Sequence, residues 1–303
     1  MSKPLVYLDQ NIIGQVANKE LNLKPSDEFT FVYSKEHFSE IKRSDEPQKY
    51  LDALHKIDAK LLELEMGADW KITGRATLRE GGTPTEFYSG YLEAISEVEL
   101  SDDIFDPFLA WINGGGDEES LSSLPDTIAE QLFEISREFS PNDSQLSEKA
   151  DAMAPGFKGM INELIDKGND INKTRSALGN NKGNIGNISG NNVIEQIWTV
   201  VKHNYNGMSS DEFFGFNPND KQGYDNWPIY LGIVGCCSVM DILGFQAEKK
   251  CRKIDKIPNI RSDSGHIGMG AFCSLVISLD KRLVKRANAI YQYKGLTSSA
   301  RVL

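Results

Sequence analysis

The stretch RSDSGHIGMGAFCSLVISLDKRLVKRANAIY, residues 261–291, decides the fold. Its small-residue run favours a helix, and Asp263 stands where we expect that helix to open. The apolar run SLVIS then predicts a buried strand, which stops at a second carboxylate, Asp280. A basic helix follows. This alternation of helix and buried strand predicts part of a parallel sheet.

Four other segments with apolar patterns predict strands or a helix of the same layered fold. PLVYLD (4–9) ends in Asp9 and predicts a buried parallel strand, and FTFVYS (29–34) is rich in β-forming residues. The spacing of leucine and isoleucine over residues 50–66 predicts a helix. The apolar end SARVL predicts a last strand.

These elements predict an α/β fold, in which a small parallel sheet is interrupted by a large, mainly helical insertion. We expect residues 1–66 and 228–303 to form the sheet domain and residues 67–227 to form the insertion. The Gly/Asn-rich segment 178–192 predicts a loop. It lacks the lysine-serine pair of a phosphate-binding loop, so that role is not favoured.

The charge of the chain is negative overall and uneven along its length. A formal net charge of −11 argues against broad basic binding of duplex nucleic acid. Residues 97–151 hold 15 acids and 2 bases, whereas residues 248–301 hold 12 bases and 4 acids. We hypothesise that the acidic segment covers a basic surface or docks a regulatory protein. Solvated helix faces in a solubilising helical domain are the alternative.

Composition also bears on the compartment. No apolar run approaches the roughly 20 residues that span a bilayer, and the N-terminus does not resemble a signal peptide. The cysteines lack the spacing of a zinc site. We therefore expect a cytoplasmic protein without a membrane partner and with reduced, mostly buried thiols: Cys236, Cys237, Cys251 and Cys273.

Carboxylates follow the predicted parallel strands. Ligands bind at the carboxyl ends of such strands, so we expect Asp9 and Asp280 at one rim. Asp263 and Glu40 would reach this rim from their helices. Buried carboxylates need a compensating cation, and hard divalent ions prefer oxygen ligands. The simpler alternatives are helix caps for the three aspartates and a surface acid for Glu40.

The blocks VYLDQN, YSKEHFSEI, SDSGHIGMGAFCSLVISLD and KRLVKRANAIY resemble, in that order, the motif blocks of PIN-domain nucleases. The family has an Asp after the first strand, often followed two residues on by Asn or Ser, and a Glu on an early helix. A further Asp opens a helix against the fourth strand, which a last Asp ends. The resemblance covers residues 1–66 and 228–303. The insertion between the second and third blocks departs from the family pattern.

The resemblance implies that four carboxylates bind one or two Mg²⁺ or Mn²⁺ ions: Asp9, Glu40, Asp263 and Asp280. The metal would activate a water and stabilise charge as a phosphodiester is cleaved to a 5′-phosphate and a 3′-hydroxyl. Asn11 would hydrogen-bond a metal ligand. The implied substrate is RNA, single-stranded or in a structured loop, and many bacterial members are toxins or anti-phage effectors.

Two histidines lie one helical turn from predicted ligands. His266 follows Asp263 and would orient it or touch the scissile phosphate. His37 precedes Glu40 and would act on that carboxylate in the same way. A satisfied core histidine is the alternative for each.

Basic residues flank the predicted site and would neutralise substrate phosphates. Four follow Asp280 directly: Lys281, Arg282, Lys285 and Arg286. Four precede Asp263: Lys249, Lys250, Arg252 and Lys253. We expect Lys281 or Arg282 to contact the substrate backbone.

Other functions fit the same residues. A haloacid dehalogenase-type phosphatase needs an acid where Asn11 stands, so it is not favoured. A catalytically silent scaffold on a PIN-like fold, or a nuclease for single-stranded DNA, remains an alternative. The sequence leaves the oligomeric state open, a homo-oligomer included.

Overall fold

The computed structural model describes residues 3–69, 71–97, 104–139, 144–180, 185–247 and 253–303. Over these residues the chain is an α/β protein with one mixed, mostly parallel sheet of six strands. It divides into two compact units. The first comprises Met1–Tyr91, Leu178–Ala247 and Arg261–Leu303, and the second comprises Leu92–Ala177 and Glu248–Ile260.

The strands are β1 (Leu5–Leu8), β2 (Thr30–Tyr33), β3 (Lys60–Met66), β4 (Ile72–Leu78), β5 (Leu275–Ser278) and β6 (Ser299–Val302). Their order across the sheet is β4-β3-β2-β1-β5-β6. Among the strands of the described residues, only β3 and β4 pair antiparallel. The first strand, β1, therefore lies inside the sheet, between β2 and β5.

The helices follow the strands in the order that a parallel sheet requires. The first four are α1 (Gln10–Ala17), α2 (Lys35–Lys42), α3 (Pro47–Lys56) and α4 (Pro84–Glu97). Next come α5 (Asp106–Ile112), α6 (Glu118–Phe139), α7 (Ser144–Lys167) and α8 (Ile171–Ala177). The last are α9 (Val193–Val201), α10 (Ser210–Phe213), α11 (Ile229–Leu243), α12 (Ile257–Gly270) and α13 (Lys281–Tyr293).

The main core of the first unit lies against the sheet. Tyr7 on β1, Val32 on β2 and Val276 on β5 are fully buried in it. Helix α13 contributes one apolar face, which includes Ala287 and Ile290. Burial of apolar side chains is the main favourable contribution to folding and stabilises this strand order. The strand order in turn determines which strand ends are neighbours.

The second unit has an apolar cluster of its own. Trp111 of α5, Leu121 and Leu124 of α6 and Ile161 of α7 are buried together. The indole Nε1–H of Trp111 donates to the Leu164 carbonyl at 3.3 Å. The prediction of helices in this part of the chain is confirmed.

The prediction of one helix over residues 50–66 is wrong in its second half. Helix α3 ends at Lys56, and Asp58 adopts a left-handed φ of 52°. The chain then enters β3, where Leu61 pairs with β2 and Leu62 with β4. Strand pairing outweighs helical spacing here, because both neighbours offer free backbone hydrogen bonds.

The compact units differ from the predicted domain boundaries. Residues 67–91 and 178–227, expected in the insertion, belong to the first unit. Strand β4 lies in the first of these segments and extends the sheet, and Ile194 and Ile197 of α9 join its core. The segment 248–260, expected in the sheet domain, groups with the second unit.

The described residues include no helix that is both long and apolar enough to cross a bilayer. Cys236, Cys237 and Cys273 are free and buried thiols, as predicted. Cys251 lies outside the described residues.

Replacement of Gly270 by alanine should destabilise the first unit. The added methyl would lie 2.4 Å from Cγ2 of Val276 and 2.6 Å from the hydroxyl of Tyr291. We expect the free energy of unfolding to fall by about 1–3 kcal/mol, which is the usual cost of overpacking. Urea denaturation measures it.

Gly90→Ala on α4 is the matched control, because its added methyl meets nothing within 4 Å. We expect it to be neutral or to stabilise by about 0.5–1 kcal/mol. Equal losses in the two variants would contradict the packing argument.

Candidate functional site at the strand ends

Neighbouring parallel strands deliver two carboxylates to one edge of the sheet. Strand β1 ends at Leu8 and is followed at once by Asp9, while β5 ends at Ser278, two residues before Asp280. The backbone N–H of Asp9 donates to the carbonyl of Ile277 at 2.9 Å. The two strand ends are thus in register, as the predicted rim requires.

Asp9 is buried and its carboxylate is held by several donors. Oδ1 accepts from the backbone N–H of Gln10 at 2.8 Å. Oδ2 accepts from Asn11 Nδ2 at 2.5 Å and from Ser278 Oγ at 2.5 Å. Burial raises the pKa of Asp9, and the nearby His266 partly offsets this. Asp9 is also the N-cap of α1, so it both caps this helix and lies at the edge of the sheet.

Asn11 joins the ends of β1 and β5. Its amide nitrogen donates to Asp9 and, at 3.1 Å, to Ser278 Oγ. Its amide oxygen accepts from the backbone N–H of Leu279 at 2.9 Å. Asn11 therefore orients Asp9 from across the strand junction.

Glu40, which is partly exposed, forms an ion pair with the buried His266. The carboxylate Oε1 lies 3.0 Å from His266 Nε2 and also accepts from the hydroxyl of Ser262. Burial alone would raise the pKa of Glu40, but these contacts lower it to about 2. Burial alone would lower the pKa of His266, but Glu40 and Asp9 raise it to about 9. Both partners are therefore charged at neutral pH.

A chain of hydrogen bonds holds the other ring nitrogen of His266, Nδ1. Nδ1 lies 2.7 Å from the hydroxyl of Tyr7, which lies 2.7 Å from Ser34 Oγ. Since His266 is fully buried, this chain fixes the ring plane. Nε2 consequently faces the carboxylates, 3.8 Å from Oδ1 of Asp9.

The prediction that His37 orients Glu40 is not what the structure shows. Nδ1 of His37 accepts from the backbone N–H of Ser34 at 3.1 Å, and Nε2 donates to the carbonyl of Leu8 at 2.7 Å. Burial and the charge of His266 lower the pKa of His37 to about 3. His37 is thus a neutral core histidine that ties the start of α2 to the end of β1.

Asp263 lies inside a helix, not at its start. Helix α12 begins at Ile257, with Pro258 in its first turn, where a missing N–H is tolerated. The expected helix opening at Asp263, and the cap reading with it, are therefore wrong. Burial and the charge of Asp9 raise the pKa of Asp263 to about 7, and Asp280 adds to this.

Asp280 is paired with a neighbouring arginine. It caps α13 by accepting from the backbone N–H of Arg282 at 2.6 Å, and its Oδ2 lies 3.1 Å from the Arg282 guanidinium. Burial alone would raise the pKa of Asp280, but Arg282 lowers it. The cap reading is correct here too, and it leaves the carboxylate at the rim.

The predicted basic surface is only partly present. Lys281 and Lys285 are exposed and Arg282 is half-exposed. The inclusion of Arg286 is wrong, because the residue is only 3 % exposed and its guanidinium lies 3.0 Å from Asp241 Oδ2. Lys253 is exposed, while three predicted members lie outside the described residues: Lys249, Lys250 and Arg252.

Glu36 is a carboxylate of this region that the sequence analysis missed. It accepts a hydrogen bond from the Tyr230 hydroxyl at 2.9 Å. A methyl on Gly265 would lie 2.3 Å from its carboxyl carbon, so the glycine makes room for it. The sequence pattern that could have identified Glu36 is its spacing of four residues from Glu40, which places both acids on one face of the helix.

The donor chemistry fits a hard divalent cation. The charges of Asp9 and Asp280 raise the pKa of Asp263, and Glu40 raises that of Asp9, so the four acids share one electrostatic site. Such a cluster of oxygen donors is what Mg²⁺ and Mn²⁺ prefer. As the side chains stand, no three acidic, histidine or cysteine groups within the described ranges form a metal-holding cluster.

Comparisons with known proteins give no relative. No family model matches the chain, and neither a curated protein nor a solved structure matches it significantly.

Neutralising Asp263 should stabilise the metal-free protein at alkaline pH. Its pKa is about 7 in the folded chain, against 3.8 ordinarily. Because the folded state holds the proton more tightly, stability falls as the pH rises through this window. We expect Asp263→Asn to gain on the order of 1–2 kcal/mol at pH 8 and nothing at pH 3. Urea denaturation in EDTA at both pH values measures this, and a pH-independent effect would contradict it.

Removal of Arg286 should destabilise the fold, whereas removal of Arg282 should not. Arg286→Leu leaves Asp241 buried without its cation, at a cost of about 3–5 kcal/mol. Arg282→Leu removes a half-exposed pair worth about 1 kcal/mol or less. Unfolding in urea distinguishes them, and equal losses would show that the buried pair is not the cause.

Proposed function

We propose that this protein is a PIN-type, divalent-metal-dependent endoribonuclease that hydrolyses RNA to 5′-phosphate and 3′-hydroxyl ends. One observation carries the proposal. Four acids from separate parts of the chain interact electrostatically near the ends of β1 and β5: Asp9, Glu40, Asp263 and Asp280. As the side chains stand, however, no three of the described groups form a metal-holding cluster. Keeping Asp9 and Asp263 charged close to each other is unfavourable, as their raised pKa values indicate, which supports a chemical reason for their placement.

The four acids would hold Mg²⁺ or Mn²⁺, which, when bound, lowers the pKa of a water and stabilises charge on the phosphodiester. The other residues position them. Asn11 and Ser278 fix the carboxylate of Asp9, and His266 fixes that of Glu40. Mutation of one residue that positions a metal ligand in this way typically lowers metal affinity or activity by about 10–100-fold.

Substrate contact falls to the exposed start of α13. Lys281 and Lys285 lie one turn apart on this helix, next to Asp280, and are exposed. Their ammonium groups would neutralise backbone phosphates, which carry no sequence information. The same contacts suit single-stranded DNA, so this substrate is the alternative within the nuclease class.

A catalytically silent scaffold is the second candidate, and a specific observation favours it. Internal cations already neutralise two of the four acids, since His266 pairs with Glu40 and Arg282 with Asp280. A site compensated in this way has less need of a metal. A regulatory partner bound through the acidic segment 97–151, part of which lies outside the described residues, stays a hypothesis.

The test is cleavage of labelled RNA pools and of single-stranded DNA with Mn²⁺, Mg²⁺ or EDTA. We expect metal-dependent cleavage by the wild type and a loss of at least about 100-fold in Asp9→Asn and Asp280→Asn. Asn11→Ala should lose about 10–100-fold, because Asp9 is then less well oriented.

Asp52→Asn is the matched control, because Asp52 is an exposed acid on α3 that is not one of the four site acids. Its carboxylate accepts a hydrogen bond from Gln48. The variant should cleave like the wild type. Cleavage that survives in Asp280→Asn would reject the assigned site. If nothing is cleaved and calorimetry detects no Mn²⁺ binding, the scaffold is the better description.

A further inference from the structure

A cavity of the first unit is lined by none of the four candidate site acids. It has a volume of about 380 Å³, which is within the usual range for small-ligand sites. It lies between the end of β2, the start of β3 and the segment that joins β4 to α4. Tyr33, Leu61, Leu78 and Phe87 are among the residues that line it.

Tyr33 lines this cavity, and its hydroxyl is buried and unsatisfied, so a ligand has to displace neighbouring atoms to reach it. The side chain is fully buried, and within the described residues its hydroxyl has no hydrogen-bond partner. A buried hydroxyl without a partner costs roughly 1–3 kcal/mol. Burial and the charge of Glu63 raise the pKa of Tyr33, so the group stays neutral and can both donate and accept.

Apolar and aromatic side chains form part of the cavity wall, beside the charged residues Asp58, Lys60, Arg79 and Glu80. Leu61 is buried beside Tyr33, and the half-buried ring of Phe87 comes from α4. A methyl on Gly82 would lie 3.0 Å from that ring, so the glycine permits the approach of this segment. Residues 79–82 are exposed and include two glycines with left-handed φ, Gly81 and Gly82, which eases their displacement by a ligand.

The charges around the cavity compensate one another. Lys60 lies 2.6 Å from Asp58, and Arg79 lies 3.6 Å from Glu63. The cavity therefore shows no excess of either sign, and its occupant need not be charged. An uncharged, flat ligand with a polar edge matches an apolar wall, one aromatic face and one free hydroxyl.

We propose that this cavity binds an unpaired nucleobase, stacked on Phe87 and hydrogen-bonded at its edge by the Tyr33 hydroxyl. The inference rests on the proposed ribonuclease, because it names the part of the RNA that the protein reads besides the cleaved phosphate. Ser34, the residue after Tyr33, belongs to the hydrogen-bonded chain of the acidic site. Stacking on an aromatic side chain is the common mode of single-strand recognition.

Binding of the four ribonucleosides tests this directly. Calorimetry in EDTA compares adenosine, guanosine, cytidine and uridine with ribose. We expect at least one nucleoside to bind with a dissociation constant on the order of 1 mM, and ribose not to bind. Tyr33→Phe, which removes only the hydroxyl, should weaken binding about tenfold without lowering the melting temperature.

A filled cavity gives the second arm. Leu78→Trp, at a 38 % exposed position in the lining, should abolish nucleoside binding. Met66→Trp, on the same β hairpin but outside the lining, should bind like the wild type. If no nucleoside binds at 10-fold the expected constant, or if Leu78→Trp binds normally, the proposal is wrong.

Asp280→Asn separates this proposal from the nuclease. We expect the variant to bind nucleoside like the wild type, because Asp280 does not line the cavity. Nucleoside binding without RNA cleavage in any metal would reject the nuclease and keep the base site. Cleavage without nucleoside binding would do the reverse.

Discussion

A positive charge buried among carboxylates is the constraint on which the rest of the site depends. His266 has no exposure to water, and its Nε2 faces both Glu40 and Asp9. A buried charge without a partner costs several kcal/mol, so a packing of α12 that separated His266 from these carboxylates would be unfavourable. Tyr7 then holds the opposite side of the ring, which links the first strand to this helix.

Glycines on α12 let this packing come close. An added methyl on Gly265 would overlap Glu36, and one on Gly268 would lie 2.7 Å from the Tyr230 ring. The glycines within α12 are thus the points where large neighbouring side chains pack against it. These contacts explain why a sequence of weak helix formers is helical here. Its low intrinsic helix propensity is outweighed by tertiary contacts.

Much of the fold could be predicted from the sequence, because burial leaves periodic patterns. The apolar runs before Asp9 and Asp280 are strands, and SARVL contains the last strand. Strand β3 could not be separated from α3, since leucines at helical spacing hide the turn at Asp58. The ends of the predicted strands indicate which acids lie at the edge of the sheet, but they do not indicate which charged side chains form ion pairs. Nothing local distinguishes buried Arg286 from exposed Lys285, because that depends on Asp241, 45 residues away.

The sheet order has a consequence for synthesis of the protein. Strand β1 is made first but pairs with β5, and the contacts Tyr7–His266 and Asp9–Ser278 join residues 259 and 269 positions apart. A ribosome adds about 5–20 residues per second, so the first strand waits for many seconds with one edge unpaired. Asp263 and Asp280 can join Asp9 and Glu40 only after the segment that carries them has been synthesised. A nascent or truncated chain that ends before β5 therefore cannot assemble the candidate site.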